Sequence, residues 1–124
     1  MHKIIAIPSI NEQGLNSKIS LHFGHCETYT IVSIEDNKIK KVKTIVNSPF
    51  AEKRTCMTPV QYLLDNGVQI LITNSVGQRP FVYLNQAGIE VLYSEEKFVH
   101  EILKDFLKGT IKKLETQDLC GAKR

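Results

Sequence analysis

Residues 68–93, VQILITNSVGQRPFVYLNQAGIEVLY, decide the fold. Val68 to Thr73 form a near-continuous apolar run, the pattern of a strand buried on both faces. The turn residues of "NSVGQRP" follow. Phe81, Leu84 and Ala87 then recur at helical spacing until Gly88 stops the pattern. "IEVLY", Ile89 to Tyr93, returns to strand chemistry. Such strand–helix–strand alternation belongs to an α/β sheet with helices packed on its faces.

The segments on either side extend this reading. Upstream, Thr58 is placed as a helix N-cap with Pro59 at the first helical position. Val60, Leu63 and Leu64 supply an apolar stripe, and Asn66-Gly67 closes the helix. Further back, "TYTIVSI" (Thr28 to Ile34) and "KIKKVKTIV" (Lys38 to Val46) are rich in β-branched residues. "EDNK" between them is a tight turn, so the pair reads as a β-hairpin. Lys41 and Lys43 alternate with Val42 and Thr44, which predicts a strand with one wet face. "KIIAIP" (Lys3 to Pro8) reads as a buried first strand.

Downstream, Ser94 is placed as the cap of a last helix, with Glu95 and Glu96 in its first turn. Phe98, Ile102, Leu103, Phe106 and Leu107 form its buried stripe, and Gly109 ends it. Thr110 to Arg124 is a polar tail without a period. The order is β-β-β-α-β-α-β-α: an α/β fold with a five-stranded mixed sheet and helices on its faces. Residues 1–109 form one domain and residues 110–124 a tail.

Bulk composition narrows the function classes. With 124 residues, 42% hydrophobic and 23% charged, the chain has the balance of an ordinary globular domain. Its formal net charge of +3 is too small, and its lysines too dispersed, for a nucleic-acid binder. No apolar run approaches the roughly 20 residues needed to span a membrane. The N-terminal "MHKIIAIP" is too short for a signal-peptide core. Three cysteines, an odd number in no paired framework, fit a reducing compartment, so the expected location is the cytoplasm.

Topology brings separate loops together. If the first three strands form a meander, the second strand starts, and the third ends, at the edge where the first ends. A right-handed crossover makes the fourth strand parallel to the first, so it ends there too. Three loops then share one rim. One carries "SLHFGHCE", Ser20 to Glu27, another carries Cys56, and the third is the turn from Thr73 to Arg79. Ligands of open α/β sheets sit outside the carboxyl ends of the parallel strands.

"SLHFGHCE" holds His22, His25 and Cys26, from a chain with four histidines and three cysteines. Imidazole nitrogen and thiolate sulfur are donors for zinc, copper, iron and iron–sulfur clusters. Magnesium would want several carboxylates, and only Glu27 and Glu52 are near. The spacing H-x-x-H-C matches no closed zinc pattern and lacks paired C-x-x-C halves. A site with few protein donors and open positions suits a labile or transferable metal. Backbone N–H groups at the helix after "TNSVG" favour an anion, and Arg79 adds charge-assisted contacts. An anionic sulfide-bridged cluster would use both. Plainer readings stand beside these. Cys26 is also a small hydrophobe at a strand start, and Gly77 and Arg79 also serve as a tight strand-to-helix connection. Phe23 reads as a core anchor for its loop. His2, His100 and the tail residue Cys120 read as incidental.

"KIIAIPS…ISLHFGHCETYTIVSIEDNKI" resembles the opening of the dinitrogenase iron–molybdenum cofactor biosynthesis family, with its NifX- and NafY-type domains. "NGVQILITNSVGQRPFVYLNQAGIEVLY" resembles that family's second half. The resemblance covers roughly Met1 to Leu107. It implies a ribonuclease H-like fold and the binding or carrying of iron–sulfur or iron–molybdenum clusters. It also implies that the histidine of the HFG element, His22 here, binds the cluster. It does not carry nuclease chemistry with it. That chemistry needs clustered carboxylates, whereas the first strand ends in Ile7-Pro8-Ser9 and the fourth in Thr73-Asn74.

The expected function is a non-enzymatic carrier or store of an iron–sulfur or iron–molybdenum–sulfur cluster. The cofactor-binding residues are His22, Gly24, Gly77 and Arg79. The metal donors are His22, His25, Cys26 and Cys56. The expected partners are metallocluster donor and acceptor proteins, with the chain itself a monomer or weak homo-oligomer. One alternative is a small catalytic or ligand-binding domain using Cys26 as nucleophile with His22 or His25 as base. Another is a regulatory scaffold with a vestigial site.

Overall fold

The computed structural model describes residues 2–20, 28–46 and 57–115. Strands β1 (His2–Ser9), β2 (Thr28–Glu35) and β3 (Lys38–Val46) come first. Helix α1 (Met57–Asp65), β4 (Ile70–Thr73), α2 (Gln78–Gln86), β5 (Glu90–Tyr93), α3 (Val99–Lys108) and β6 (Lys112–Lys113) follow. The sheet order is β3-β2-β1-β4-β5-β6. β1, β4 and β5 are parallel, while β2, β3 and β6 join antiparallel.

The β2–β3 turn works through Asp36 and Asn37, which both take positive φ, 52° and 65°. These residue types tolerate the left-handed region, and two such residues in a row match the twist of a hairpin. At the end of α1, Gly67 has φ +74°. The Gly67 N–H donates to the Leu64 carbonyl and the Val68 N–H to the Leu63 carbonyl, which closes the helix.

Strand alternation divides the core into two layers. Ala6, Tyr29, Ile31, Leu71 and Val91 face α1 and α2, where Val60, Leu63 and Leu84 meet them. Ile5, Ile7, Val32, Ile72 and Leu92 face α3, where Val99, Ile102 and Leu103 meet them. The α3 stripe recurs every three or four residues, as an amphipathic helix requires. Burying each of its large aliphatic side chains contributes about 1.5–3 kcal/mol.

Four features differ from the sequence reading. The sheet has six strands, not five. β6 lies in the stretch expected to be tail, and pairs Lys112 with Tyr93 and Lys113 with Leu92. A strand of two exposed lysines has no alternation to detect; what fixes it is backbone pairing and burial of Leu114 just beyond. Second, Ser94 does not cap α3. Its hydroxyl accepts from the Glu96 N–H at 3.2 Å and makes a local turn. The helix starts only after Phe98, whose N–H donates to the Glu101 carboxylate at 3.2 Å. Third, α1 already includes Met57, so Thr58 lies inside its first turn. Fourth, β3 is wet on both faces at its start. Lys38, Ile39, Lys40 and Lys41 are all exposed because β3 is the sheet edge. Lysines there discourage pairing with another chain.

Among the described residues, no helix is long and apolar enough to cross a membrane.

Candidate functional site

The meander brings Ser9, Thr28 and Val46 into one row, because Ser9 pairs with Thr28 and Thr28 with Val46. β4 and β5 run parallel to β1, so Thr73 and Tyr93 end at the same rim. The segments 21–27 and 47–56 and the turn after Thr73 all leave from this edge. The convergence expected from topology is therefore present in the sheet. His22, Gly24, His25, Cys26 and Cys56 lie outside the described residues, as does Cys120. Among the described residues, no three histidine, cysteine, aspartate or glutamate side chains are grouped to hold a metal.

The attachment points of segment 21–27 are well defined. Beyond the end of β4 the chain folds back on β1. The Ile10 N–H donates to the Lys18 carbonyl at 3.1 Å and the Ser20 N–H to the Pro8 carbonyl at 2.8 Å. Ile19 thus bridges to Ser9 on one side, while Thr28 pairs with Ser9 on the other. Two strand spacings separate these flanks, about 10 Å. The returning stretch is tied to α3 as well. The Ile19 N–H donates to the Lys97 carbonyl at 2.8 Å and the Val99 N–H to the Ser17 carbonyl at 3.0 Å.

At the end of β1 sits a chain of buried hydroxyls that the sequence reading did not single out. Ser9 and Thr30 are fully buried and Thr28 is 3% exposed. Thr28 Oγ1 donates to the Asn11 carbonyl at 2.7 Å. Ser9 Oγ lies 2.6 Å from Thr28 Oγ1 and 2.9 Å from Thr30 Oγ1. A hydroxyl has one proton. Thr28 spends its own on Asn11, so Ser9 must donate to Thr28, and Thr30 must donate to Ser9. The chain runs Thr30 to Ser9 to Thr28 to the Asn11 carbonyl. The signal for it was the alternation of Thr28 and Thr30 in "TYTI", once the register places Ser9 opposite Thr28.

The turn after β4 is held from both ends. Thr73 Oγ1 donates to the Ser75 carbonyl at 3.1 Å, and the Asn74 amide to the Ser94 carbonyl at 3.3 Å. Val76 plugs into the core at 1% exposure. Gly77 is the N-cap of α2 with an extended backbone, and no side chain caps that helix end. The Gln78 and Arg79 N–H groups are too early in the helix to reach a carbonyl within it. Pro80 next to them has no N–H. A Cβ at Gly77 would meet Pro80 Cδ at 3.4 Å, an ordinary contact. Glycine is thus not demanded by the fold there; it leaves the helix end uncovered. Arg79 is exposed beside it. Gly77 and Arg79 thus stand at the start of α2, beyond the end of β4.

A cleft of about 400 Å³ lies between the end of β5, β6 and α3. Glu95, Glu96, Asp105 and Lys112 contribute to its lining. The Tyr93 hydroxyl donates to the Glu95 carboxylate. A hydrogen bond with Asp105 raises the Glu96 pKa above its usual 4.5, helped by desolvation and by the charges of Asp105 and Glu101. Lys112 Nζ sits 5.0 Å from the centre of the Tyr93 ring.

The family model described as "Dinitrogenase iron-molybdenum cofactor" matches residues 1–109. The chain belongs to the dinitrogenase iron–molybdenum cofactor family. An uncharacterized protein of Methanocaldococcus jannaschii is 33% identical over 101 residues, covering 81% of this chain and 86% of that one. A Thermotoga protein solved by NMR, described provisionally as a NifB protein, superposes with a TM-score of 0.75 at 31% identity. That match covers 92% of this chain and 95% of the other. The apo form of the orange protein from Desulfovibrio gigas has a TM-score of 0.76 at 23% identity, covering 90% and 92% of the two chains. At that identity the likeness concerns the fold alone.

Proposed function

We propose that this protein binds a metal–sulfur cluster, of iron–sulfur or iron–molybdenum–sulfur type, and carries or stores it as cargo without catalysing a reaction. The observation that carries the reading is the rim of a family member. The segment with His22, His25 and Cys26 leaves and re-enters the sheet at the end of β1. The uncapped N-terminus of α2, with Gly77 and Arg79, opens from the same edge. Nitrogen and sulfur donors suit iron and molybdenum clusters, and helix N–H groups with an arginine suit the cluster's negative charge.

In this reading His22 is the principal ligand. His25, Cys26 and Cys56 are further donors, and Gly24, Gly77 and Arg79 complete the cofactor-binding set. Residues 1–109 are the binding unit, and the order β3-β2-β1-β4-β5 supports a ribonuclease H-like assignment. Donor and acceptor proteins for the cluster are the proposed partners, the chain acts as a monomer or weak homo-oligomer, and the cytoplasm is the proposed location. An open site follows from the role, since cargo has to be released.

The test is reconstitution. Metal-free protein is titrated with ferrous iron and sulfide under anaerobic conditions while charge-transfer absorption is followed. The expected result is saturable uptake by the wild type and a loss of at least about tenfold in affinity for His22→Ala, since losing even a group that only orients a ligand costs about 10–100-fold. Equal uptake by the two proteins would remove His22 from the site.

A further inference from the structure

We propose that the sheet carries a second, separate site, an anion pocket of Lys41, Lys43, Ser33 and Asn66 that takes a phosphate group. It lies away from the rim and does not depend on the cluster-carrier reading. The strand register builds it. Ser33 pairs with Ile4 on one side and Lys41 on the other, and Ile31 pairs with Lys43. These residues share the face on which α1 packs. Asn66, just past the end of α1, reaches the same place, with its Oδ1 3.5 Å from Lys43 Nζ. The six residues line a cavity of about 100 Å³.

Lys41 and Lys43 are two residues apart on one strand, so their stems rise side by side roughly 7 Å apart. Among the described residues neither has a carboxylate partner. At 3.5 Å the Asn66 oxygen is a weak acceptor for Lys43. The Asn66 amide nitrogen donates to the Tyr62 carbonyl at 2.8 Å, which fixes the side chain with its oxygen toward Lys43. The acids of the neighbouring segments are placed elsewhere. Asp65 accepts from the Gln61 amide at 3.0 Å, and Glu35 lies across from Lys38 at the hairpin end. The half-buried Ser33 hydroxyl has no hydrogen-bond partner among the described residues.

Two ammonium groups and a free hydroxyl thus converge over an apolar floor of Ile4 and buried Ile31. Lysine binds phosphate as a point charge with three donors, and low-dielectric walls strengthen its attraction for an anion. A tetrahedral oxyanion can accept from all three groups. The cavity of about 100 Å³ is far below the roughly 300–1,000 Å³ that encloses a whole small molecule, so only a phosphate-sized group enters. That group is either the free ion or the head of a phosphomonoester. The competing role for the lysines is plain coverage, their stems shielding Ile31 from water.

Amide NMR spectra of the full chain, titrated at fixed ionic strength with inorganic phosphate or glycerol 3-phosphate, test the proposal. At about pH 8 both ligands carry close to two charges. Saturable shifts are expected at residues 31–33, 41–43 and 66, with millimolar affinity for at least one of the two. Lys41→Met and Lys43→Met keep the stems and remove the charge, and each should weaken binding about fivefold, the upper end for an exposed ion pair. Ser33→Ala should weaken it about threefold. Lys3→Met removes the same charge from the opposite face of the sheet and should leave binding unchanged. The same spectra report that each variant is folded. Tighter binding of glycerol 3-phosphate would identify a phosphomonoester as the ligand, and equal or weaker binding the free ion. Shifts that rise linearly without saturating would overturn the proposal and leave the lysines as coverage. Equal weakening by Lys3→Met and Lys43→Met would also overturn it, since the attraction would then be to net charge alone.

Discussion

Glu96 and Asp105 face each other at the cleft beside β5, and their hydrogen bond requires a proton that Glu96 supplies when neutral. The raised pKa has a defined consequence. Just above pH 4.5 an unfolded Glu96 has largely released its proton while the folded one holds more of it. Folding is then opposed as pH rises through the window from 4.5 to the raised value, and the stabilisation is complete only below 4.5. Glu96→Gln keeps the hydrogen-bond donor and removes the titration. Its melting temperature should exceed that of the wild type at about pH 7 and match it near pH 4. Calorimetry at the two values checks this; an equal shift at both would assign the effect to packing instead. The hydroxyls of Ser9, Thr28 and Thr30 represent the opposite case, polar groups buried at no loss because each finds a partner.

Elements were legible where a residue type enforces a geometry. Asp36 and Asn37 announced the hairpin because they accept positive φ. The stripe of α3 announced itself through five large apolar residues at helical spacing. The misses have a common cause, which is pairing between stretches distant in sequence. β6 is held by β5 and by Leu114. The stretch before α3 is held by Lys18 and Ile19, so Ser94 was free to make a turn rather than a cap. Neither partner can be read from local composition. Of the candidate site, the shared rim and the Gly77–Arg79 helix end were legible from topology; the hydroxyl chain needed the β1–β2 register. The α2 end yields its own prediction. Gly77→Ala should cost about 1 kcal/mol or less in stability, as glycine-to-alanine changes at caps do. It should still weaken iron–sulfide uptake, because a methyl group covers the approach to the α2 N–H groups. Melting and uptake measured on the same preparation separate the two effects. Unchanged uptake would take α2 out of the site.

For the whole molecule, the sheet order decides where chemistry can occur. Three parallel strands end at one edge, and the meander adds the start of β2 and the end of β3 to it. The two faces of the sheet are sealed by helices, α1 and α2 on one side and α3 on the other. The lateral edges are occupied by lysine-rich β3 and by β6. The segment with two histidines and a cysteine between Ser20 and Thr28 departs from this rim, and the proposed reading has it offer nitrogen and sulfur donors to a metal–sulfur cluster. The measurement that tests this most directly is metal analysis of the protein purified without oxygen, with iron, molybdenum, zinc and copper quantified per chain beside the visible spectrum. The account predicts iron, alone or with molybdenum, accompanied by sulfide-to-metal charge-transfer bands. A colourless protein carrying only zinc, or no metal at all, that also fails to take up iron and sulfide would contradict it.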